Sequence, residues 1–132
     1  MKKIFLTLLI LTVSLFAEYK SQYLTQDILN SGIPIVDIRT HGEWRETGVL
    51  RGAIPITFFD ERGNYNVNAF LRELNAKVDT KKPFAIICHT GSRTATVGPW
   101  LAKKLGYKVI NLKGGMAYAT QTLGIKPVPL LK

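Results

Sequence analysis

The sequence predicts an α/β fold: a sheet of about five mostly parallel strands with helices on both faces. Three observations predict it. Short apolar runs, in part β-branched or aromatic, are interleaved with stretches whose apolar positions recur at helical spacing. That alternation calls for parallel pairing through right-handed crossovers. The 132-residue chain leaves about 115 residues after position 17, which suits a single domain that buries roughly two thirds of its unfolded surface.

Residues 1–17 read as a leader, and 18–132 as the domain. Lys2 and Lys3 precede an uncharged, mostly apolar run from Ile4 to Ala17, and the first acidic residue is Glu18, the pattern of a secretory signal cut after Ala17. The run has 14 residues, short of the roughly 20 that span a bilayer as a helix. An uncleaved anchor is the alternative, and the lack of a cysteine near the cut argues against a lipoprotein. The expected destination is the periplasm or the exterior, without stable membrane insertion after cleavage.

Within the domain, Thr25–Asn30 predicts a short helix capped by Thr25 and closed by Gly32, followed by a strand over Ile35–Ile38. Gly42–Glu46 suits one helical turn and Ile54–Phe58 a second strand. Asp60–Asn64, with Gly63, reads as a loop. Val67–Lys77 reads as a helix, with Phe70, Leu71, Leu74 and Val78 on one face. Pro83–Ile87 is a buried strand, and Thr94–Leu105 a helix with Val97, Leu101 and Leu105 at helical spacing. Lys108–Leu112 reads as a strand, Gly115–Leu123 as the last helix, and Lys126–Leu130, with two prolines, as an extended tail.

The chemistry converges on Cys88, the single cysteine, at the end of the Pro83–Ile87 run. A strand there delivers its sulfur to the C-terminal edge of the sheet, where ligands of open α/β sheets collect. The segment Cys88-His89-Thr90-Gly91-Ser92-Arg93-Thr94 then leads into a helix, whose unpaired amides and dipole favour an anion. Arg93 adds a planar, permanently charged donor fork within reach of the loop. The bland alternative is a small buried hydrophobe at a strand end. A protein bound for an oxidising space that keeps one unpaired thiol points to function rather than to a structural staple, an intermolecular disulfide being the alternative.

The loop resembles that of the rhodanese family, sulfurtransferases that carry sulfane sulfur as a cysteine persulfide. Upstream, Val36-Asp37-Ile38-Arg39, Glu43, Trp44, Gly48 and Gly52-Ala53-Ile54-Pro55-Ile56 are similar to the family's first strand, short helix and turn into the next strand. Downstream, Val109-Ile110-Asn111-Leu112-Lys113-Gly114-Gly115-Met116 is similar to the strand and double-glycine turn after the catalytic helix. The likeness spans about residues 23–122. Two places depart from it: Gly48-Val49-Leu50-Arg51 has no histidine where many members have Gly-His-Ile, and Tyr118 is the nearest aromatic to the double glycine.

The resemblance implies a single-domain sulfurtransferase with Cys88 as nucleophile, residues 89–93 as a substrate-binding cradle, no cofactor and no metal. Asp37 and Arg39 are then residues that brace the loop, with a plain ion pair as the alternative. Thr94 belongs with them. His89 either acts as a donor or general acid, or points to solvent. Thr90 and Ser92 form the loop and have hydroxyls to offer the sulfur. Arg93 orients the loop or binds the donor, against a surface salt bridge. Glu43, Trp44 and Trp100 read as structure.

Four residues separate Cys88 and Arg93, the sulfurtransferase length; the related dual-specificity phosphatases and arsenate reductases carry five, and commonly a histidine where Ile87 stands here. Three functions follow in order: sulfur transfer from thiosulfate or polysulfide, a persulfide carrier or partner-binding module without turnover, and oxyanion phosphatase or reductase chemistry. Partners implied are a small anionic sulfur donor, an acceptor thiol or cyanide, and a redox partner protein. The formal charge of +9 falls to +7 with the loss of Lys2 and Lys3, and the surplus is scattered. Scattered charge attracts small anions or acidic proteins, whereas nucleic-acid binding needs a clustered stripe or stacking platform that the sequence lacks. His41 and His89 alone accompany the sulfur, so no metal-ligand spacing is present.

Overall fold

A computed structural model describes residues 18–130; the leader expected over residues 1–17 lies outside them. Among the described residues no helix is long and apolar enough to cross a membrane. Five strands, β1 (Tyr19–Tyr23), β2 (Ile35–Asp37), β3 (Ile54–Pro55), β4 (Phe84–Ile87) and β5 (Val109–Lys113), form one sheet in the order β1-β5-β4-β2-β3. Every pairing is parallel.

The central strand β4 shows why the sheet is covered on both sides. Its side chains alternate, as pleating demands: Phe84, Ile86 and then Cys88 join a cluster with Phe70, Leu74, Val97 and Leu101. Ala85 and Ile87 join Ile28, Leu112 and Met116. Helices α3 (Val67–Lys77) and α4 (Ser92–Leu105) therefore cover one face, and α1 (Gln26–Asn30) and α5 (Gly115–Ala117) the other. Capping follows the sequence closely. Thr25 accepts from Ile28 N at the start of α1, and Asn66 accepts from Ala69 N at the start of α3.

Several expectations need correction. The strand expected over Ile54–Phe58 is a ladder only at Ile54–Pro55, since Pro55 has no N–H to donate and the strand lies at the sheet edge. Ile56 N and Phe58 N still donate to Asp37 O and Ile38 O. The turn expected over Gly42–Glu46 is a seven-residue helix, α2 (His41–Thr47), extended by a capping box between Thr40 and Glu43. The last helix is not continuous: α5 gives way to a π-helix over Tyr118–Thr122. The tail is pinned by an antiparallel bridge between Val128 and Val49. Strand β1 has no counterpart among the expected elements. All five of its residues are exposed, so no alternation marks it. It is seated partly by Gly98 of α4, where a Cβ would lie 2.7 Å from the Tyr19 ring.

Candidate active site

Cys88 follows directly on β4, at the C-terminal edge of the sheet, and is fully buried. The chain then turns sharply. Gly91, the N-cap of α4, has φ +99°, a conformation that suits glycine. That turn aims the Gly91 N–H back at the sulfur, which it reaches at 3.2 Å. Thr94, also fully buried, sits with its hydroxyl 3.6 Å from Cys88 Sγ and donates to Gly91 O at 3.2 Å. Sulfur, one backbone donor and one hydroxyl are thus held together at the first turn of a 14-residue helix.

The floor of the loop is built by the double glycine. Met116 N donates to Cys88 O at 2.8 Å and Ala117 N to His89 O at 2.9 Å, so α5 spends its free N-terminal donors on the loop's carbonyls. Such closeness requires glycine. A Cβ on Gly115 would collide with the Cys88 and His89 carbonyl oxygens, and one on Gly91 would lie 2.9 Å from Gly114 N. Tyr118 rests against Gly114 and packs on Tyr23 with ring centroids 4.5 Å apart.

Arg93 is engaged by Glu43. Its Nη1 and Nη2 donate to Glu43 Oε1 and Oε2 at 2.7 and 2.8 Å, a two-point pair, while Glu43 Oε1 also accepts from Thr40 N in the α2 cap. Hydrogen bonding from Arg93 is the main reason that the Glu43 carboxyl is lowered to about 2, against the opposing effect of burial. The same pair raises Arg93 above its ordinary value, with a smaller contribution from the nearby Cys88. Glu43, read from sequence as structural, therefore governs the loop's only arginine. The signal that points to it is the Thr40-x-x-Glu43 spacing, which fixes where that carboxylate must sit.

Asp37 and Arg39 form a buried ion pair, with Arg39 Nη2 at 2.8 Å from Asp37 Oδ2. Arg39 also donates to Thr47 Oγ1 and Gly48 O at the end of α2. The pair makes no hydrogen bond to residues 88–94 among the described residues; it locks α2, and α2 carries Glu43. His89, Thr90 and Ser92 are exposed. Neither hydroxyl of Thr90 or Ser92 approaches the sulfur within hydrogen-bonding distance among the described residues, and the hydroxyl that does is Thr94's.

The comparisons with known proteins fit this geometry. The Rhodanese-like domain model matches residues 20–121. An uncharacterized protein of Rickettsia prowazekii is 32% identical over 103 residues, which cover 75% of this chain and 81% of that protein. A rhodanese-like domain protein from Staphylococcus aureus superimposes with a TM-score of 0.57 at 27% identity, covering 74% of this chain and 88% of that one. A Rhodopseudomonas palustris protein of unknown function, described as a possible tyrosine phosphatase, gives 0.51 at 25% identity, covering 78% and 75%. With a family match over most of its length, a sheet of the same kind and a cysteine loop at the sheet's edge, this chain belongs to the rhodanese-like domain family.

Proposed function

We propose that this protein is a sulfurtransferase that accepts the outer sulfur of thiosulfate or a polysulfide on Cys88 and passes it to a nucleophilic acceptor. The observation that carries the reading is the Gly91 N–H directed at Cys88 Sγ from the N-cap of α4 at 3.2 Å. With thiosulfate, the Cys88 thiolate attacks the outer sulfur, the donor's S–S bond breaks, and its electron pair leaves on sulfite. The persulfide stays on the enzyme as an anion. The remaining loop amides from residues 89–93 are the groups to receive that charge, each aimed donor contributing roughly 3 kcal/mol. An acceptor thiol or cyanide then attacks the outer sulfur and regenerates Cys88, a two-step covalent cycle.

Burial of Cys88 and the engagement of Arg93 by Glu43 favour a second reading, a carrier that holds persulfide for a partner protein without efficient turnover. Phosphoryl or arsenate chemistry ranks below both, because four residues separate Cys88 and Arg93 where the phosphatase and arsenate reductase loops carry five. The leader composition supports export, with maturation near Ala17 and action in the periplasm or outside the cell. Steady-state thiocyanate release from thiosulfate and cyanide tests the proposal. Sustained release supports the enzyme, and a single stoichiometric release supports the carrier. Hydrolysis of an aryl phosphate without any thiocyanate contradicts both.

A further inference from the structure

We propose, as a refinement that rests on the sulfurtransferase reading, that Glu43 is a specificity-determining residue. It sets the loop against dianionic donors and in favour of monoanionic sulfane-sulfur donors with an apolar body, organic persulfides above all. An incoming anion meets a guanidinium that is not free. The guanidinium that would attract it is already engaged at two points by a carboxylate. That carboxylate is held by four donors on two helices' termini, Thr40 N, Thr40 Oγ1 and both Nη atoms of Arg93, so it does not swing aside cheaply. Its pKa, lowered by the Arg93 hydrogen bonds, keeps it charged throughout the neutral range.

The surroundings of Arg93 point the same way. The hollow that exposes Arg93 and Ser92 is rimmed by two further carboxylates, Asp60 and Glu61. Both are fixed: Asp60 Oδ1 accepts from Arg62 N and Asn64 N, and Glu61 Oε1 from Gly42 N. Through Phe59 and Thr96 the hollow continues into a second one, of about 250 Å³, walled by Phe58, Tyr65 and Trp100 among others. A dianion with no organic part meets Asp60 and Glu61 at the rim and the Glu43 charge paired with Arg93, and gains nothing from that aromatic wall. An organic donor of one negative charge meets half the repulsion, and its apolar group has a place to desolvate.

The transfer balances without any further reactant. With a persulfide anion R–S–S⁻, Cys88 Sγ bonds to the donor's outer sulfur, the donor's S–S bond breaks, and its electron pair leaves on the inner sulfur. That sulfur takes the proton given up by the Cys88 thiol, so the products are the enzyme persulfide anion and R–SH. Sulfane sulfur is transferred with no net oxidation.

Three donors that surrender the same outer sulfur separate charge from apolar body: thiosulfate, methanethiosulfonate and benzenethiosulfonate, with cyanide as acceptor. Glu43→Gln keeps an acceptor oxygen for the α2 cap while removing the charge. It is expected to raise kcat/KM for thiosulfate about tenfold and for methanethiosulfonate about threefold, so their ratio climbs about threefold. Tyr65→Ala, at a residue 61% exposed, is expected to lower benzenethiosulfonate turnover several-fold and leave methanethiosulfonate unchanged. A thiosulfate-to-methanethiosulfonate ratio that stays flat or falls in Glu43→Gln overturns the proposal. Glu61→Gln, which leaves the cap of α2 intact, is expected to move the ratio the same way by less; a flat ratio there overturns the proposal if Glu43→Gln does not fold. If thiocyanate forms from all donors but the ratios do not move, only this inference fails. If the wild type takes sulfur from none of them, the sulfurtransferase reading itself fails.

Discussion

Arg93 and Glu43, 50 residues apart in sequence, meet in a two-point ion pair whose carboxylate also caps α2. The loop after Cys88 is therefore tied to the helix after β2, and the state of one carboxyl affects both.

The pH dependence of that tie follows from its sign. The Glu43 carboxyl is lowered from 4.5 to about 2, so its contribution to stability is fully present above pH 4.5 and is lost as the pH falls through about 2. The pair is partly exposed, which holds the contribution to about 1 kcal/mol. Urea denaturation at about pH 5 and about pH 2.5 is expected to show wild type losing more stability than Glu43→Gln by that amount.

Asp37→Ala is expected to cost about 3–5 kcal/mol, because it leaves the Arg39 guanidinium buried beside no countercharge. The Asp37→Ala/Arg39→Met double variant is expected to recover a large part of that loss. Denaturant midpoints of the two single variants and the double variant measure the coupling.

Gly115→Ala places a Cβ against the carbonyls of Cys88 and His89 at a residue with φ +57°. The strain is expected to cost at least about 2 kcal/mol and to push the loop off its amide contacts. Thermal melting checks the first effect, and loss of sulfur transfer at a temperature where the variant is folded checks the second.

Thr94→Val keeps the volume but removes the hydroxyl beside the sulfur and its bond to Gly91 O. The stability cost is expected to be about 1 kcal/mol, and persulfide formation is expected to slow severalfold while the fold is retained. Rapid-quench measurement of sulfur loading against circular dichroism separates the two.

Where burial and periodicity coincide, the fold is legible in the chain. Phe84–Ile87 and Val67–Lys77 carry their apolar pattern openly, and Thr25 marks a helix start with local chemistry, whereas the helix expected from Thr94 begins at Ser92 because Gly91 supplies its turn. Strand β1 is not legible, since Tyr19–Tyr23 is exposed throughout and is a strand only because β5 offers it an edge. In the site, Cys88 and its loop announce themselves by composition. The partner of Arg93 does not, because an ion pair across 50 residues leaves no local mark. The capping box at Thr40 and Glu43 is the one trace of it, and it reads first as a helix start.

Incubating the purified protein with thiosulfate or benzenethiosulfonate and weighing it intact shows whether Cys88 takes up sulfur. The expected result is a gain of one sulfur atom, located on Cys88, absent from Cys88→Ser and removed by cyanide with release of thiocyanate. An unchanged mass with every sulfane-sulfur donor, in a protein that is folded and whose single thiol is reduced, contradicts it.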